Sequence, residues 1–525
     1  MGIKKLLSLF CVLAVFVGVL SGCSSSTSSE SKTKRSSANE TLTFAQSSDI
    51  SLLDPHLTKT GYDTNVTASV FETLLKFDEN GKVCSSLAKS WNVSSNGLLY
   101  NFEIREGVTF HDGEKLDAAV VKKNVDRMLV GVNSSSSKYP YASSIFGSVE
   151  EVKIVGDFRV EFVMKQIDAD FLTKLAMHSG FAIISPKALD AHANDEKGVT
   201  SNPIGTGPFV FRKHTKDQSV ELERNDKYWG KKAEVMFLNF KIIKDPVTRV
   251  SSLCNGEIDI ASEVTLESKQ KVESSGCNFV MSPALMASWL IFNVENGSIF
   301  ANKEVRIAAA RSMNVKGAVE SLYKDSANVA SGFLPEGIGG FSKDLKPFEF
   351  DPESSKKKFE ELGIKKIALS CYTSSKPYNP VGADLGSSIA GDLRAAGVEV
   401  ELINREWLAH AGALNEKKFE AAFYGWMADY PTASNFFPMF ESGSAMNKIG
   451  YSSEEFERLF SKAKTELDEE KRNKIYEEMN RLLTKTDVVC VPISNGKYIN
   501  ATRANVKGFV RPPFGGMNFS KVSKV

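Results

Sequence analysis

One stretch of the chain alternates between strand and helix patterns, and this order limits the folds that it can adopt. The predicted elements are a strand at 367–371, a helix at 384–396, a strand at 398–403, a helix at 406–415 and a strand at 419–424. A β-α-β-α-β order implies parallel strand pairing in an α/β sheet. Ligands of such sheets bind beyond the carboxyl ends of the strands, so residues 425–431 are the first candidate for a binding loop.

The length of the chain predicts more than one domain. Without its N-terminal segment the chain has roughly 485 residues, and one hydrophobic core seldom serves so many. Alternating apolar residues predict further strands at 98–104, 160–164 and 220–222. Asp117 is a suitable N-cap for a helix, and Ser452 with Glu455 has the spacing of a capping box. Mixed α and β lobes without an internal repeat are therefore expected.

The N-terminus has the features of a secretory leader. Lys4 and Lys5 precede an apolar run at residues 6–20. A membrane span needs about 20 apolar residues, so this run is better interpreted as the core of a signal peptide. We expect the signal peptide to comprise residues 1–22.

The segment that follows predicts a lipid anchor. Leu-Ser-Gly-Cys at 20–23 resembles the lipobox of bacterial lipoproteins, in which the cysteine is diacylated and becomes the first residue. Cys23 is therefore the expected lipid attachment site. Residues 23–39 are rich in Ser, Thr and Lys and predict a flexible tether. An ordinary secretory signal with an incidental cysteine is the alternative.

The charge balance argues against a nucleic-acid partner. The chain has 65 basic and 64 acidic residues, a formal charge of +1 that becomes −1 without Lys4 and Lys5. Both signs are mixed along the sequence, whereas nucleic-acid binders normally have a basic excess.

The cysteines and histidines predict neither a metal site nor a cofactor. Beyond Cys11 and Cys23 the cysteines are Cys84, Cys254, Cys277, Cys371 and Cys490. They form no CxxC pair and no Cys/His cluster of zinc spacing, and the six histidines are dispersed. Their odd number leaves at least one free thiol, and a Cys254–Cys277 disulfide stays open.

The usual catalytic motifs are missing, so we predict that the chain is not an enzyme. There is no GxSxG, HExxH or P-loop pattern. Gly-Thr-Gly-Pro at 205–208 lacks the third glycine of a phosphate loop and favours a tight turn. His-Asp-Gly at 111–113 is typical of a hairpin turn rather than a catalytic relay. A secreted hydrolase is the remaining enzymatic alternative.

Several short motifs follow one another along most of the chain. They are Leu-Ala-Lys-Ser-Trp at 87–91, Tyr-Asn-Phe-Glu-Ile-Arg-Glu-Gly-Val at 100–108, Phe-His-Asp-Gly at 110–113, Gly-Thr-Gly-Pro-Phe at 205–209, Arg-Asn-Asp-Lys-Tyr-Trp at 224–229, Gly-Glu-Ile-Asp-Ile at 256–260, Phe-Asn at 292–293, Val-Arg-Ile-Ala at 305–308 and Tyr451. This collinear series resembles family 5 of the extracellular solute-binding proteins, the peptide- and nickel-binding receptors of ABC importers, and within it the oligopeptide- and dipeptide-binding lipoproteins.

The resemblance implies a periplasmic-binding-protein-like α/β fold. Two α/β lobes would surround a deep cleft, with an additional inserted α+β domain. The implied boundaries place the first lobe at 40–80, 203–285 and 495–525, the inserted domain at 81–202 and the second lobe at 286–494. The chain then crosses between the lobes at few strands, which suits closure about a hinge.

The resemblance also implies a binding site. Gly-Trp-Met-Ala-Asp-Tyr at 425–430 is most similar to the Gly-Trp-x-Ala-Asp-Tyr of oligopeptide receptors. By this similarity Asp429 would pair with the α-ammonium group of a peptide. Main-chain groups of Gly425 and Met427 would bond the peptide as an added strand.

Other site residues are implied less directly. Trp426 would be either a wall of the cleft or part of the core, and Tyr141 and Gly61 fall where the family also contacts the peptide. Oligopeptide receptors can place arginines near this motif to meet the peptide carboxylate, but the corresponding positions here are Tyr424 and Leu414. The unassigned cations nearby are Arg405, Lys417 and Lys418.

The implied function is a monomeric, lipid-anchored, extracytoplasmic receptor that delivers short peptides to an ABC permease, at the cell surface or in the periplasm. One alternative is a nickel or metallophore receptor of the same family, for which His410 and His178 are candidate ligands. Another alternative keeps the peptide site but uses it for signalling.

Overall fold

The computed structural model of the chain describes residues 40–78, 80–133, 138–191, 198–373 and 376–525. The predicted signal peptide, the tether and Cys23 lie outside the described residues. Within them, no helix combines the length and the apolar composition that crossing a bilayer requires.

The elements up to residue 201 alternate between short strands and helices. The strands are β1 (Thr41–Gln46), β2 (Leu75–Phe77), β3 (Val83–Ser85), β4 (Ala88–Val93), β5 (Leu99–Ile104), β6 (Val149–Gly156) and β7 (Arg159–Met164). The helices are α1 (Gly61–Val70), α2 (Ala118–Asn133), α3 (Ala142–Phe146), α4 (Phe171–Leu175), α5 (Pro186–Ala191) and α6 (Gly198–Ser201).

The middle of the chain contains the first of two long strands. The strands are β8 (Phe209–Thr215), β9 (Ser219–Arg224), β10 (Phe237–Ile242), β11 (Ile260–Ala261), β12 (Cys277–Phe292) and β13 (Ala327–Val329). The helices are α7 (Pro246–Cys254), α8 (Lys269–Ser274), α9 (Lys303–Ser312) and α10 (Val315–Leu322).

The remaining elements include the second long strand. The strands are β14 (Lys366–Tyr372), β15 (Glu399–Arg405), β16 (Ala421–Met427), β17 (Cys490–Arg503), β18 (Val506–Lys507) and β19 (Ser523–Lys524). The helices are α11 (Pro352–Glu361), α12 (Gly382–Ala395), α13 (Trp407–Asn415), α14 (Glu454–Thr465) and α15 (Glu469–Arg481), which a π-helical turn at Leu482–Thr486 follows.

Eleven strands form one sheet that runs through both lobes, in the order β15-β14-β16-β12-β17-β11-β1-β10-β9-β8, with β13 on β17. On one side β1 lies parallel between β10 and β11, and on the other β14 lies parallel between β15 and β16. We call the part around β1 the first lobe and the part around β14 the second lobe. Each lobe therefore has its own parallel α/β unit.

A separate four-stranded antiparallel sheet, β4-β5-β7-β6, forms the inserted domain together with α2. Its apolar side chains alternate as predicted, because Tyr100, Phe102 and Ile104 are all buried. Asp117 caps α2 as predicted, since its Oδ1 accepts from the backbone N–H of Val120 at 2.9 Å. The fold is thus the expected pair of α/β lobes with an inserted α+β domain.

The predicted β-α-β-α-β order in the second lobe is confirmed. Strands β14, β15 and β16 pair in parallel, with α12 and α13 between them in sequence. Two details of the prediction were wrong. The last strand continues to Met427, because residues up to there pair with β12. The cap of α14 is Ser453 rather than Ser452, because the Ser453 side chain accepts from the N–H of Phe456.

Only β12 and β17 run through both lobes, among the described strands of the large sheet. The start of β12 pairs with the end of β17 beside β11, and its other end pairs with β16. The register breaks between Pro283, which faces Lys497, and Ala287, which faces Asn495, so β12 carries extra residues there. Such a bulge bends a strand locally. The predicted lobe boundaries at 285/286 and 494/495 lie at this break, and the full set of domain boundaries stays a prediction.

A buried triad joins the first lobe to the inserted domain. The Arg127 guanidinium makes a two-pronged ion pair with Asp54, with N–O distances of 3.0 and 2.6 Å. The same group donates to Nδ1 of His56 at 2.9 Å, and Nε2 of His56 contacts the carbonyl of Ala182 at 2.9 Å. Because arginine can only donate, His56 is neutral with its proton on Nε2. Burial and the Arg127 charge lower the pKa of His56 to about 4.

The triad predicts a loss of stability in acid. The unfolded pKa of His56 is 6.5 and the folded pKa is about 4, so the unfolded state binds the proton first. The contribution of His56, about 3 kcal/mol, is therefore complete above pH 6.5 and is lost as the pH falls toward 4. Urea titrations at pH 7 and pH 4.5 measure this effect. The difference in free energy of unfolding between the wild type and His56→Gln should be smaller at pH 4.5 than at pH 7. His214→Gln in the first lobe is the control, and a pH-independent His56 difference would contradict the prediction.

Candidate functional site

Within the residues that the structure describes, the end of β16 has a strand partner on only one of its two edges. On one side β16 pairs with β12 along its whole length, whereas on the other its pairing with β14 ends at Ala422. The N–H of Ala428 donates to the carbonyl of Leu285 at 2.8 Å. Alternate residues of an antiparallel strand bond to the same neighbour, so the main-chain groups of Gly425 and Met427 point to the opposite, open edge. An extended chain could pair there.

Gly425 is a glycine because two groups approach it closely. A Cβ at this position would lie 2.2 Å from a ring carbon of Tyr378 and 2.8 Å from the carbonyl oxygen of Ala287. Tyr378 belongs to a turn after β14, in which the N–H of Asn379 donates to the carbonyl of Lys376. The small residue therefore lets this turn lie directly against the end of β16.

Asp429 is a half-buried carboxylate just beyond this edge. Its Oδ1 accepts from the Tyr141 hydroxyl at 3.4 Å, and the Asn435 side chain also bonds to it. Burial raises the pKa of Asp429, and these two neutral hydrogen-bond donors only partly oppose that effect. The described contacts of the carboxylate thus leave its negative charge uncompensated by a cation.

Asn435 holds the loop that carries Asp429, and sequence reasoning missed it. Its Oδ1 accepts from the indole N–H of Trp426 at 2.9 Å and from the backbone N–H of Asp429 at 3.2 Å. One amide therefore fixes both ends of the segment 426–429. It lies in a short 3-10 turn, Ala433–Asn435, and no spacing signal distinguishes it from other turn asparagines.

Tyr141 approaches Asp429 from the inserted domain. It precedes α3, and its ring lies against Gly180, where a Cβ would be 2.5 Å from that of Tyr141. Gly180 has a φ of +101°, a conformation that glycine adopts without strain. Tyr430, which follows Asp429, is buried in the core of the inserted domain. The structure thus brings Tyr141 and Asp429 together across two domains.

The other predicted site residues take different positions. Trp426 is half-buried and packs against one core of the second lobe, while Met427 packs against the other. Gly61 is exposed at the start of α1 in the first lobe, where Thr60 caps the helix. Peptide contacts by any of these residues stay a prediction.

The cations near the motif have other partners. Arg405 donates to the Ser370 hydroxyl at 2.8 Å, Lys417 pairs with Glu295 at 2.5 Å, and Lys418 pairs with Glu416 at 2.7 Å. At the two positions where oligopeptide receptors can place arginine, Leu414 is buried and Tyr424 is half-buried. Lys417 and Lys418 are thus paired with carboxylates, whereas the partner of Arg405 is a neutral hydroxyl.

The candidate metal ligands do not form a cluster. His410 is fully buried, with its Nε2 2.9 Å from the carbonyl of Phe423, and burial lowers its pKa. Burial also lowers the pKa of His178, to about 4. Among the described residues, no three His, Cys, Asp or Glu side chains are arranged to hold a metal ion.

Comparison with known proteins identifies a family whose model matches most of the chain. Residues 82–448 match the family described as bacterial extracellular solute-binding proteins, family 5 Middle. The dipeptide-binding protein of Escherichia coli (strain K12) is 27% identical over 511 residues, which cover 92% of this chain and 94% of that protein.

Two further similar proteins are named for different ligands, a peptide and heme. The periplasmic binding protein DppA from Helicobacter pylori in complex with the peptide STSA has a TM-score of 0.76 and 27% identity, covering 92% of this chain and 98% of that one. Heme-binding protein A of Haemophilus influenzae is 25% identical over 538 residues, covering 97% of this chain and 98% of that protein.

The close approach at Gly425 predicts that Gly425→Ala destabilises the protein. The added methyl group must displace both the Tyr378 ring and the backbone of β12, and such overpacking costs about 1–3 kcal/mol. Urea unfolding should show this loss. Gly412→Ala in α13, where a Cβ meets nothing within 4 Å, is the matched control and should be neutral or stabilising. Equal stability of the two variants would contradict the close approach.

Proposed function

The chain belongs to the family 5 bacterial extracellular solute-binding proteins, and from this premise we propose that it binds short peptides between its lobes and delivers them to an ABC permease. Proteins of this family are binding components of importers, so the chain is an extracytoplasmic binding protein and not an enzyme.

The carboxylate of Asp429 carries the proposal. It is half-buried and lies beside the open edge of β16. Its described hydrogen-bond partners are neutral groups, which do not neutralise its charge. An ammonium group entering a closed cleft needs such a partner, because an unpaired buried charge is costly. A hydrogen bond between charged groups contributes about 1.5–3 kcal/mol. Asp429 therefore anchors the peptide N-terminus.

Backbone pairing along the open edge of β16 contributes further binding free energy. The free main-chain groups of Gly425 and Met427 pair with the peptide backbone, as in strand addition. This pairing is independent of side chains, so peptides of different composition bind. Trp426 lies between the two residues, and its indole N–H donates to Asn435.

Closure of the lobes completes the site. Tyr141 and Gly61 belong to the inserted domain and to the first lobe, and the register break in β12 provides the point of bending. A ligand that bridges the lobes favours the closed form, since it contacts both sides only there. The closed form is then the shape that the permease recognises.

Cys23 attaches the protein to the membrane by a lipid, and residues 23–39 are the tether. The receptor acts as a monomer on the extracytoplasmic face of the cell membrane. A heme-binding protein occurs among the relatives, and one similar structure, NikZ from Campylobacter jejuni, is a complex with Ni(L-His). No specific contact of the described residues favours either ligand over a peptide, and the same peptide site would serve nutrient uptake or signalling.

Removal of the Asp429 charge should weaken peptide binding. We expect Asp429→Asn to lower the affinity for trialanine roughly 10- to 150-fold, the value of one charged hydrogen bond. The melting temperature of the ligand-free protein should not fall, because the raised pKa means that this charge does not stabilise the fold. For the same reason the affinity of the wild type should decline in acid at a higher pH than for an ordinary aspartate.

Calorimetric titration of the ligand-free protein measures this affinity. Asp344→Asn, which changes an exposed aspartate of the second lobe, is the matched control and should bind as the wild type does. N-acetyl-trialanine should bind the wild type and Asp429→Asn with similar, low affinity. Full affinity of Asp429→Asn for trialanine would remove Asp429 from the site.

The lipid anchor is tested separately. In a bacterial host, Cys23→Ser should move the protein from the membrane fraction to the soluble fraction, because the acylated residue is lost. Cys11→Ser, within the predicted signal peptide, should leave the protein at the membrane. Mass spectrometry of the N-terminal peptide should find the diacylglycerol on Cys23 in the wild type, and an unmodified Cys23 would contradict the anchor.

A further inference from the structure

Two cysteines of the first lobe, Cys254 and Cys277, come together in the fold. Cys254 is the last residue of α7, and Cys277 is the first residue of β12. Both side chains pack against one small hydrophobic cluster, which includes Val250 of α7 and Val272 of α8. Residues 255–276 separate the two cysteines in sequence, so their proximity comes from tertiary packing.

The end of α8 holds both sulfur atoms. Sγ of Cys254 lies 4.0 Å from the carbonyl oxygen of Lys271, and Sγ of Cys277 lies 4.0 Å from the carbonyl oxygen of Ser275. The N–H of Ser275 in turn donates to the carbonyl of Lys271 at 3.2 Å. The Lys271 ammonium group also donates to the Ser251 hydroxyl at 2.8 Å, which ties α8 to the last turn of α7.

Arg503 approaches the same place from β17. It is the register partner of Cys277 in the β12–β17 ladder. A Cβ at Gly256, two residues after Cys254, would lie 3.5 Å from the central carbon of its guanidinium group. Burial and the adjacent Cys254 thiol raise the pKa of Cys277, and the Arg503 charge acts in the opposite direction. A nearby cation favours the thiolate, which is the reactive form of cysteine.

The pair differs from two of the other described cysteines in its accessibility. Cys371 and Cys490 are fully buried in the second lobe. Cys254 and Cys277 are half-buried, and their contacts with α8 lie at the surface. Cys84 is also half-buried, but it lies on β3 in the separate two-stranded sheet of β2 and β3. A small oxidant can therefore reach the pair without unfolding the lobe.

We propose that Cys254 and Cys277 form a disulfide in the exported protein, and that this bond stabilises the first lobe. The chain is an extracytoplasmic binding protein, and disulfides form and persist in oxidising compartments outside the cytoplasm. Both thiols are free in this structure, which therefore represents the reduced form. The inference is independent of the ligand that the cleft binds.

The oxidant is a second disulfide, carried by a small molecule or by a thiol-disulfide oxidoreductase. The thiolate of one cysteine attacks a sulfur of that disulfide, breaks its S–S bond and releases one thiolate. The thiolate of the other cysteine attacks the mixed disulfide, forms the Cys254–Cys277 bond and releases the second thiolate. The protein loses two electrons and two protons, and the oxidant is reduced to two thiols.

The bond acts on the first lobe alone. It closes the loop 255–276, which contains β11 and α8, and a closed loop restricts the unfolded chain. It also fixes the end of α7 to the start of β12, one of the two strands that run through both lobes. Since both cysteines belong to the first lobe, the bond leaves the register break after Pro283 free to bend.

Tryptic mapping of the purified exported protein tests the bond. The two cysteines lie on different tryptic peptides, 250–269 and 272–303, so a disulfide joins these peptides in one species that dithiothreitol separates. The protein is treated with oxidised glutathione, denatured, alkylated with N-ethylmaleimide and digested. We expect the joined peptides after oxidation, and Cys84, Cys371 and Cys490 as alkylated thiols.

Melting temperatures provide the second measurement. The oxidised wild type should melt about 5 °C above the wild type reduced with dithiothreitol. Cys254→Ser and Cys277→Ser should each melt at one temperature whether oxidised or reduced. Cys84→Ser is the matched control, because it removes a half-buried cysteine outside the pair and should keep both the joined peptides and the shift.

Two results on the wild type overturn the inference. Recovery of Cys254 and Cys277 as alkylated thiols after oxidation, or linkage of either to a different cysteine, rules out the bond. Equal melting temperatures of the joined and the reduced protein rule out its stabilising role. Neither result depends on a serine variant, so the inference stays testable even where a variant fails to fold.

Discussion

The pairing of β12 with β17 is the interaction on which the rest of the structure depends. These two strands are the part of the large sheet that runs through both lobes, and each lobe adds its own parallel strands to one end of the pair. The shared ladder has two register breaks, at 283–287 and at 288–289, and the first lies next to the main chain that leads to Asp429. The proposed bending point in β12 and the proposed binding loop after β16 therefore lie on neighbouring strands.

Charge placement follows from the same geometry. The parallel strands of the second lobe end at one edge of the sheet, and Asp429 lies just beyond that edge. The described partners of its carboxylate, Tyr141 and Asn435, are neutral. The carboxylate is thus held in place without a cationic partner among the described residues, and in the proposed function the ammonium group of the ligand supplies that partner.

Local patterns predicted much of the fold and less of the site. The β-α-β-α-β order was visible because apolar periodicity and the helix-ending Gly397 act over a few residues. The end of β16 was placed too early, because residues 425–427 take their strand geometry from β12, which is more than a hundred residues away in sequence. Asn435 went unnoticed for a similar reason, since its role comes from tertiary contacts that leave no periodic signal. The loop that carries Asp429 was a candidate from the β-α-β-α-β order, whereas the proposed role of Asp429 itself came only from the family motif.

Tyr430 packs the loop that carries Asp429 against the inserted domain. Its neighbour Asp429 is the proposed peptide anchor, but Tyr430 itself is buried among the apolar side chains of the inserted domain. The position of the carboxylate therefore depends on how well that distant core is packed. Two receptors with identical cleft residues could differ in affinity through substitutions inside the inserted domain alone, so selection on transport reaches residues that no transported molecule ever touches.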